Sequence, residues 1–435
     1  PEDCSLSEDH VKDAVAAMPR KLPQSGEDQI TGGKPKVMRF GSDSLVMQKD
    51  DSYPYAAVTI KFKGGESARI DDAEGIAGLA AAVLTEAVEG IDNKALSAWL
   101  SDRAASVSAS SEYLDFSVSF FCPARFSGEL FALLGNMLEK PAFAGEDFER
   151  VRRDALASLG MLRENAGSYL GYELSPFLYP NHVYGRRLKG TTKSLPSITL
   201  GQVKAFWAKQ LTMPFTLSAA GVFDEKDAAA LAQRLSARTA ADAPDVSAPE
   251  WNDDKKLALS LPGRDQEYAL MLFPTVPVDH PDSPGIELLS ECLGGFTGPL
   301  FQELREKRSL GYSAFPMNRS SQYSGFLAFG AVTSPAHEQA VFEQYPLIAA
   351  RLAHDPLPSE QVEAAKRRIA FGHDSARQSL AHRASSAAHY ALWGKPLDFP
   401  EERLRKMETM SPEDLKALAA KYLVPEKSYT VTVKP

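Results

Sequence analysis

The sequence predicts an α+β protein of two homologous domains, each a mostly antiparallel sheet with helices packed on one face. Three observations carry that expectation. The 435 residues exceed one ordinary core and suit two domains of about 200 residues each. The same order of strands and helices occurs twice along the chain. Strands come in hairpin pairs with helices between them, which is the pattern of antiparallel sheets with segregated helices.

The elements follow in order. SLSEDHVKDAVAAM reads as a short capped helix, with Ser5 and Glu8 in capping-box spacing, and a Pro/Gly-rich arm continues to about residue 35. The first unit opens with strands in VMRFGSDSLVMQ (37–48) and YAAVTIKFKGG (55–65). Helices follow in GIAGLAAAVLTEAVEG and ALSAWLSDRAA, then a strand pair in SVSASSEYLDFSVSFFC (106–122), where small and apolar residues alternate. ELFALLGNMLEK, PAFAGEDFERVRRDALASL and TLGQVKAFWAKQL continue as helices, and the strand FTLSAAGVF closes the unit.

The second unit echoes the first. LALSLP and YALMLFPTV are strands, GIELLSECLGG and LFQELREKRS are helices, and GYSAFPMNRSSQYSGFLAFGAV is a strand pair. DPLPSEQVEAAKRRIAFG parallels PAFAGEDFERVRRDAL, SPEDLKALAAKYL parallels TLGQVKAFWAKQL, and YTVTVKP parallels FTLSAAGVF. Ser411 followed by Pro412 is a helix start of the N-cap and N1 kind. Between the units, ARTAADAPDVSAPEWNDD has no apolar periodicity and reads as a solvated linker. The expected division is an extension over 1–35, a first domain over 36–236, a linker over 237–254 and a second domain over 255–435. A period this long means two copies of one domain, not a solenoid.

Composition excludes several classes. With 44% hydrophobic and 24% charged residues the chain is an ordinary globular protein, and its net charge of −9 argues against a nucleic-acid partner. No apolar run approaches the roughly 18 residues of a membrane span. Cys4, Cys122 and Cys292 form no CxxC pair, and the latter two read as small core residues. The start at Pro1 and the Pro/Gly-rich arm fit an exported, for example periplasmic, protein, with a cytoplasmic location as the alternative.

The familiar catalytic motifs are missing: there is no GxGxxG, no GxxxxGK[ST] and no GxSxG. The eight histidines are scattered; His382 and His389 share a predicted helix, seven apart and roughly on one face, with no carboxylate at the expected third position. Asn318-Arg319-Ser320 is a glycosylation sequon of a kind that arises often by chance.

The duplicated layout, the phrase YGRRLKGTTKSLPSITLGQVKAFW (184–207) and the segment LFQELREKRSLGYS together resemble the pitrilysin/insulinase family of zinc peptidases, over about residues 36–435. In active members the matching helix reads GLAHxxEH: two histidines and a downstream glutamate bind zinc, and the motif's Glu activates water. Here that helix reads Gly78-Leu79-Ala80-Ala81-Ala82-Val83-Leu84-Thr85. The ligand positions are Ala81 and Thr85, the general-base position is Leu84, and the third ligand position aligns with Ser158. Glu86 points away from Leu84 on a helix and cannot substitute. Metal chemistry is therefore not expected in this chain.

The other half of the family's site is present. Members carry an arginine and a tyrosine seven residues apart in the second domain, and the pair matches Arg305 and Tyr312. A guanidinium and a phenol O–H suit the negative charge that builds on a carbonyl oxygen under attack. Gly311 is expected to turn the chain out of the helix so that Tyr312 heads the next strand. LGGFTGP resembles the glycine-rich loop of the processing peptidase's non-zinc subunit, which implies substrate contact at Gly294, Gly295 and Gly298. The resemblance implies a non-zinc subunit of a heterodimeric peptidase, with no cofactor of its own and zinc in a homologous HxxEH-bearing partner. The alternatives are a structural core-type subunit and a homodimeric peptide-binding module.

Overall fold

The structure is a computed structural model and describes residues 34–435. The helix expected over 5–18, and Cys4, lie outside the described residues. Among the described residues the chain forms two sheets, each backed by helices, so the α+β architecture is as the sequence predicts.

The first sheet has the order β1-β2-β6-β3-β5-β4 and comprises Lys36–Phe40, Asp43–Lys49, Phe215–Gly221, Tyr55–Lys63, Asp115–Pro123 and Ser106–Ser111 respectively. Only β2 and β6 run parallel. The second sheet has the order β7-β11-β8-β10-β9, from Lys256–Ser260, Tyr429–Lys434, Glu267–Thr275, Gly325–Thr333 and Gly311–Ser320, and again only β7 and β11 are parallel. The duplication read from the sequence thus extends to strand order. In both sheets the strand that closes the unit lies parallel to an early strand of it, β2 in the first and β7 in the second, and a hairpin strand (β4 or β9) forms an edge.

Helices with matched positions cover one face of each sheet. In the first half, α1 (Ile76–Leu84) packs on α4 (Gly145–Met161) and α6 (Leu200–Leu211), with α2 (Asn93–Asp102), α3 (Ser127–Glu139) and α7 (Glu225–Ser236) around them. In the second, α8 (Ser283–Leu293) packs on α10 (Ser359–Arg377) and α13 (Pro412–Tyr422), with α9 (Glu338–His354) and α12 (Phe399–Glu408) alongside. Capping boxes begin α6 at Thr199 and Gln202 and α13 at Ser411 and Asp414, fixing both closing helices before their strands.

A further layer joins the halves. Along β3, Val58, Ile60 and Phe62 face the first half's own helices, while Ala57 faces the other way. The helix on that second face is α11 (Leu380–Leu392), from the other half, which sets Leu380 and Ala384 against Ala57 and Ala220. Small residues there let the helix sit close. The second sheet receives the reciprocal cover. α5 (Ala166–Leu178), from the first half, lays Tyr169, Leu170, Leu174 and Leu178 on Leu270, Leu272, Phe326 and Ala328. Each half has a sheet that is apolar on both faces and too few helices to cover both.

Charge locks this exchange. Arg383 of α11 donates to Asp50, which follows β2, and both side chains are under a tenth exposed. Gln48 donates to the Arg383 carbonyl at 3.2 Å. The 237–254 segment is more firmly held than a solvated linker. Trp251 sits edge-on to Tyr179 at 4.9 Å and near Tyr429 at 5.5 Å, and the Asn252 N–H donates to the Leu178 carbonyl at 3.0 Å.

Removing one member of a buried ion pair leaves the other charge without compensation. Arg383→Ala is expected to lower the unfolding free energy by roughly 3–5 kcal/mol in urea denaturation. A double Asp50→Asn, Arg383→Met variant should lose much less. Equal losses in both variants would show that the pair is not what holds α11.

Candidate functional site

The segment carrying Arg305 is built with local strain. Gly298 precedes one regular helical turn, Pro299–Phe301, and the winding then widens to a π-turn over Gln302–Glu306, with the Lys307 N–H reaching back to the Gln302 carbonyl at 3.0 Å. The chain leaves this turn at Ser309, whose φ of 54° is left-handed, at a cost of roughly 1 kcal/mol for a residue with a side chain. The turn expected at Gly311 is therefore made two residues earlier. Gly311 is already the first residue of β9, and a Cβ there would lie 3.2 Å from the Val332 carbonyl, opposite a bulge at Val332/Thr333.

Glu303 holds the strained turn in place. Its buried carboxylate accepts from Lys307 at 2.6 Å, from Arg308 at 2.5 Å and from Arg351 of α9. Burial alone would raise its pKa, but the hydrogen bonds from Lys307, Arg351 and Arg308 outweigh that and bring it down to about 2.

On this frame Arg305 and Tyr312 come together. The Arg305 guanidinium donates to the main-chain carbonyl of Tyr312 and lies 5.2 Å from the centre of the Phe301 ring. The Tyr312 side chain is 57% exposed, unusual for a large ring, and no described residue hydrogen-bonds its phenol oxygen. Both line a cleft of about 430 Å³ that also contains Ser334 and His337. The sequence reading missed His337; the β9–β10 hairpin register, which sets Thr333 opposite Gly311, is the signal that places it here.

The matching metal-ligand positions lie elsewhere and are filled by packing. Ala81 is 2% exposed and Leu84 fully buried in the first half's core, and Thr85 caps α1 while its hydroxyl donates to the Ala82 carbonyl at 3.2 Å. Ser158 is exposed on α4, and Glu86 is bound to Arg150 and Asn93. Among the described residues no three His, Cys, Asp or Glu side chains gather to hold a metal ion. Arg305 and Tyr312 flank the second core, so the two halves of the motif sit on separate sheets.

The glycines divide in role. Gly294 and Gly295 line a cleft of about 610 Å³ against Pro316, Asn318 and Arg368. Gly298 does not: a Cβ there would lie 2.3 Å from the carbonyls of Leu293 and Gly294, so its bareness serves close backbone packing before the turn. Phe296, between them, is 77% exposed. Cys122 and Cys292 are buried, and burial pushes their thiols up to about 11 and about 12. Asn318, the sequon residue, lies within β9 with its amide oxygen buried, a poor position for a glycan.

Comparison with known proteins fits this geometry. Residues 197–369 match the family described as the peptidase M16 inactive domain. This match supports the resemblance to the peptidase M16 family. This chain is 20% identical over 377 residues to the Non-peptidase homolog YmxG of Helicobacter pylori, covering 85% of this chain and 87% of that protein. It is 25% identical over 291 residues to the Uncharacterized zinc protease ML0855 of Mycobacterium leprae, covering 64% of each. Its fold matches a peptidase M16 inactive domain from Pseudomonas fluorescens with a TM-score of 0.82 at 23% identity, over 93% of this chain and 98% of that one. A protease structure from Helicobacter pylori matches with a TM-score of 0.80 at 16% identity, over 92% and 99%.

The Glu303 carboxylate gives the site a pH signature. Its folded pKa lies below the ordinary 4.5, so its stabilisation is present above about pH 4.5 and is lost as pH falls toward about 2. Glu303→Gln is expected to cost roughly 1–2 kcal/mol at pH 7, because the three cations are partly solvated. That difference should vanish by about pH 2 in thermal unfolding compared across pH. A constant difference would place the stabilisation elsewhere.

Proposed function

We propose that this chain is the non-zinc subunit of a two-chain zinc peptidase, supplying Arg305 and Tyr312 to a reaction whose metal is held by a homologous HxxEH-bearing partner. The observation that carries the reading is the solvent-facing Tyr312 side chain on a backbone that the Arg305 guanidinium binds, in a chain where Ala81, at a ligand position, and Leu84, at the general-base position, are packed as core. A peptide carbonyl placed between that pair and a partner's metal would meet a phenol O–H and a forked cation as its oxygen gains charge. Arg305 retains donors beyond the one given to the Tyr312 carbonyl. The partner would supply the metal and activated water; this chain would bind and polarise the substrate.

The M16 inactive-domain match supports a subunit that is not catalytic by itself. A relative named as a non-peptidase homolog keeps a second reading in view, in which the chain is a structural core-type subunit or a homodimeric peptide-binding module without chemistry.

The experiment is reconstitution. The isolated chain is expected to show no peptidase activity and no stoichiometric zinc, and mixing it with a zinc-bearing M16 partner should give turnover. Tyr312→Phe in that complex should lower kcat by roughly 10–1000-fold with folding intact, as loss of an oxyanion donor does. An unchanged rate would remove the pair from the mechanism and leave the structural reading.

A further inference from the structure

Behind the wall of the Arg305–Tyr312 cleft lies an acid with no partner among the described residues. Glu267, the first residue of β8, is fully buried, and neither of its carboxyl oxygens has a hydrogen-bond partner there. Buried polar groups are normally paired, and each exception calls for an explanation. Strand alternation gives its direction: Ala269, Met271 and Phe273 point into the second half's core, and Glu267 continues that series. α9 covers this face, clamped there by Tyr345, whose hydroxyl donates to the Ala269 carbonyl at 2.7 Å.

Two hydrogen-bond donors flank the acid, and each already holds a segment of the cleft. On one side β10 sets Thr333 opposite Glu267. The Thr333 hydroxyl donates to the carbonyl of Leu310, which lines the cleft. On the other side β11 pairs Val433 with Tyr268, which places Lys434 beside Glu267. The Lys434 ammonium binds Glu338 at 2.6 Å, and Glu338 directly follows His337, which lines the cleft with Ser334. Among the described residues, the charged groups facing Glu267 are Glu338 from α9 and Lys434 from β11; β10 faces it with the neutral Thr333. Burial and the Glu338 carboxylate hold its carboxyl above the ordinary glutamate range, against the pull of Lys434. A neutral acid can stay unpaired there, whereas a carboxylate needs donors, and the two beside it are Thr333 and Lys434.

We propose that Glu267 is a positioning residue for the Arg305–Tyr312 cleft, a proton-operated latch that sets how firmly the segments at Leu310 and His337 are held. With its proton on, Thr333 stays on Leu310 and Lys434 on Glu338. When the proton leaves to solvent, the carboxylate draws both donors toward itself, and Leu310 and Glu338 lose those ties. Tyr312, two residues beyond Leu310, then stands on a looser backbone. Glu303 lets go only as pH falls toward about 2, so the cleft is firmest between the two transitions.

The test is hydrogen exchange of the whole chain alone, followed by mass spectrometry from about pH 4 to about pH 9. The Leu310 N–H donates to the Leu304 carbonyl at 2.7 Å, so the peptide over 304–312 reports this segment. Corrected for the intrinsic pH dependence of exchange, its protection should fall roughly tenfold in one step as pH rises. That step should be centred above the ordinary 4.5. Glu267→Gln, neutral at every pH, should keep full protection throughout. Lys434→Met, which removes a donor and a counter-charge, should move the step to higher pH. His337→Gln and Glu306→Gln, which alter the cleft's own titrating groups, should leave the step in place.

In thermal unfolding Glu267→Gln should match the parent near pH 4 and exceed its Tm by roughly 1–3 °C near pH 9. A folded pKa above the unfolded one removes stability as pH rises through it, and the amide escapes that loss. A step that survives Glu267→Gln, or one that disappears with His337 or Glu306, would overturn the proposal. So would a lower Tm for Glu267→Gln at high pH, which would mean an ionised and paired carboxylate. Should that variant fail to fold, Lys434→Met decides: a step that stays or moves down in pH overturns the latch. The measurement needs neither partner nor turnover, so it fails or succeeds apart from the two-chain reading, on which only the purpose of the cleft rests.

Discussion

Everything in this molecule depends on two sheets that are each apolar on both faces. A strand such as β3, buried along nearly its whole length, cannot stop at one helical layer, because its second face would lie open to water. The chain resolves this by crossing over: α5 covers the second sheet and α11 covers the first, with Asp50 and Arg383 buried at the crossing. The two halves therefore pack as one object, and the surfaces between them exist only because of that exchange.

Much of this was legible in the sequence, and what was not has physical causes. Hairpin pairs and the twice-repeated order gave the sheets, because strand alternation and capping are local signals. The exchanged helices were harder. Alternation reports that a face is buried but not which chain segment covers it, and α5 contains Pro176, a residue that ordinarily argues against a helix. At the site, seven-residue spacing was enough to pair Arg305 with Tyr312. It did not reveal that the turn is made by Ser309 and not Gly311, because the π-winding shifts the helix end and no residue type marks it.

The contrast between the two halves of the motif is one of environment. Ala81 and Leu84 belong to the first half's packing, where a histidine at the one or a glutamate at the other would require room the core does not have. Arg305 and Tyr312 stand in solvent on a turn held by Glu303 and its three cations. A buried carboxylate binding three cations is a substantial investment for a surface loop, and it stiffens the backbone on which the pair is displayed.

One consequence concerns how relatives of this chain are compared. β9 is the outer strand of its sheet, and two features blunt it: Pro316 has no N–H to offer, and Arg305 occupies the Tyr312 carbonyl. An arginine in that position guards the strand against pairing with other chains, a service to solubility that persists in a protein with no chemistry left. The tyrosine has no such second employment, since its phenol binds nothing in the described chain. Across divergent homologues, then, a retained arginine signals little about activity, and the presence or loss of the tyrosine is the informative difference.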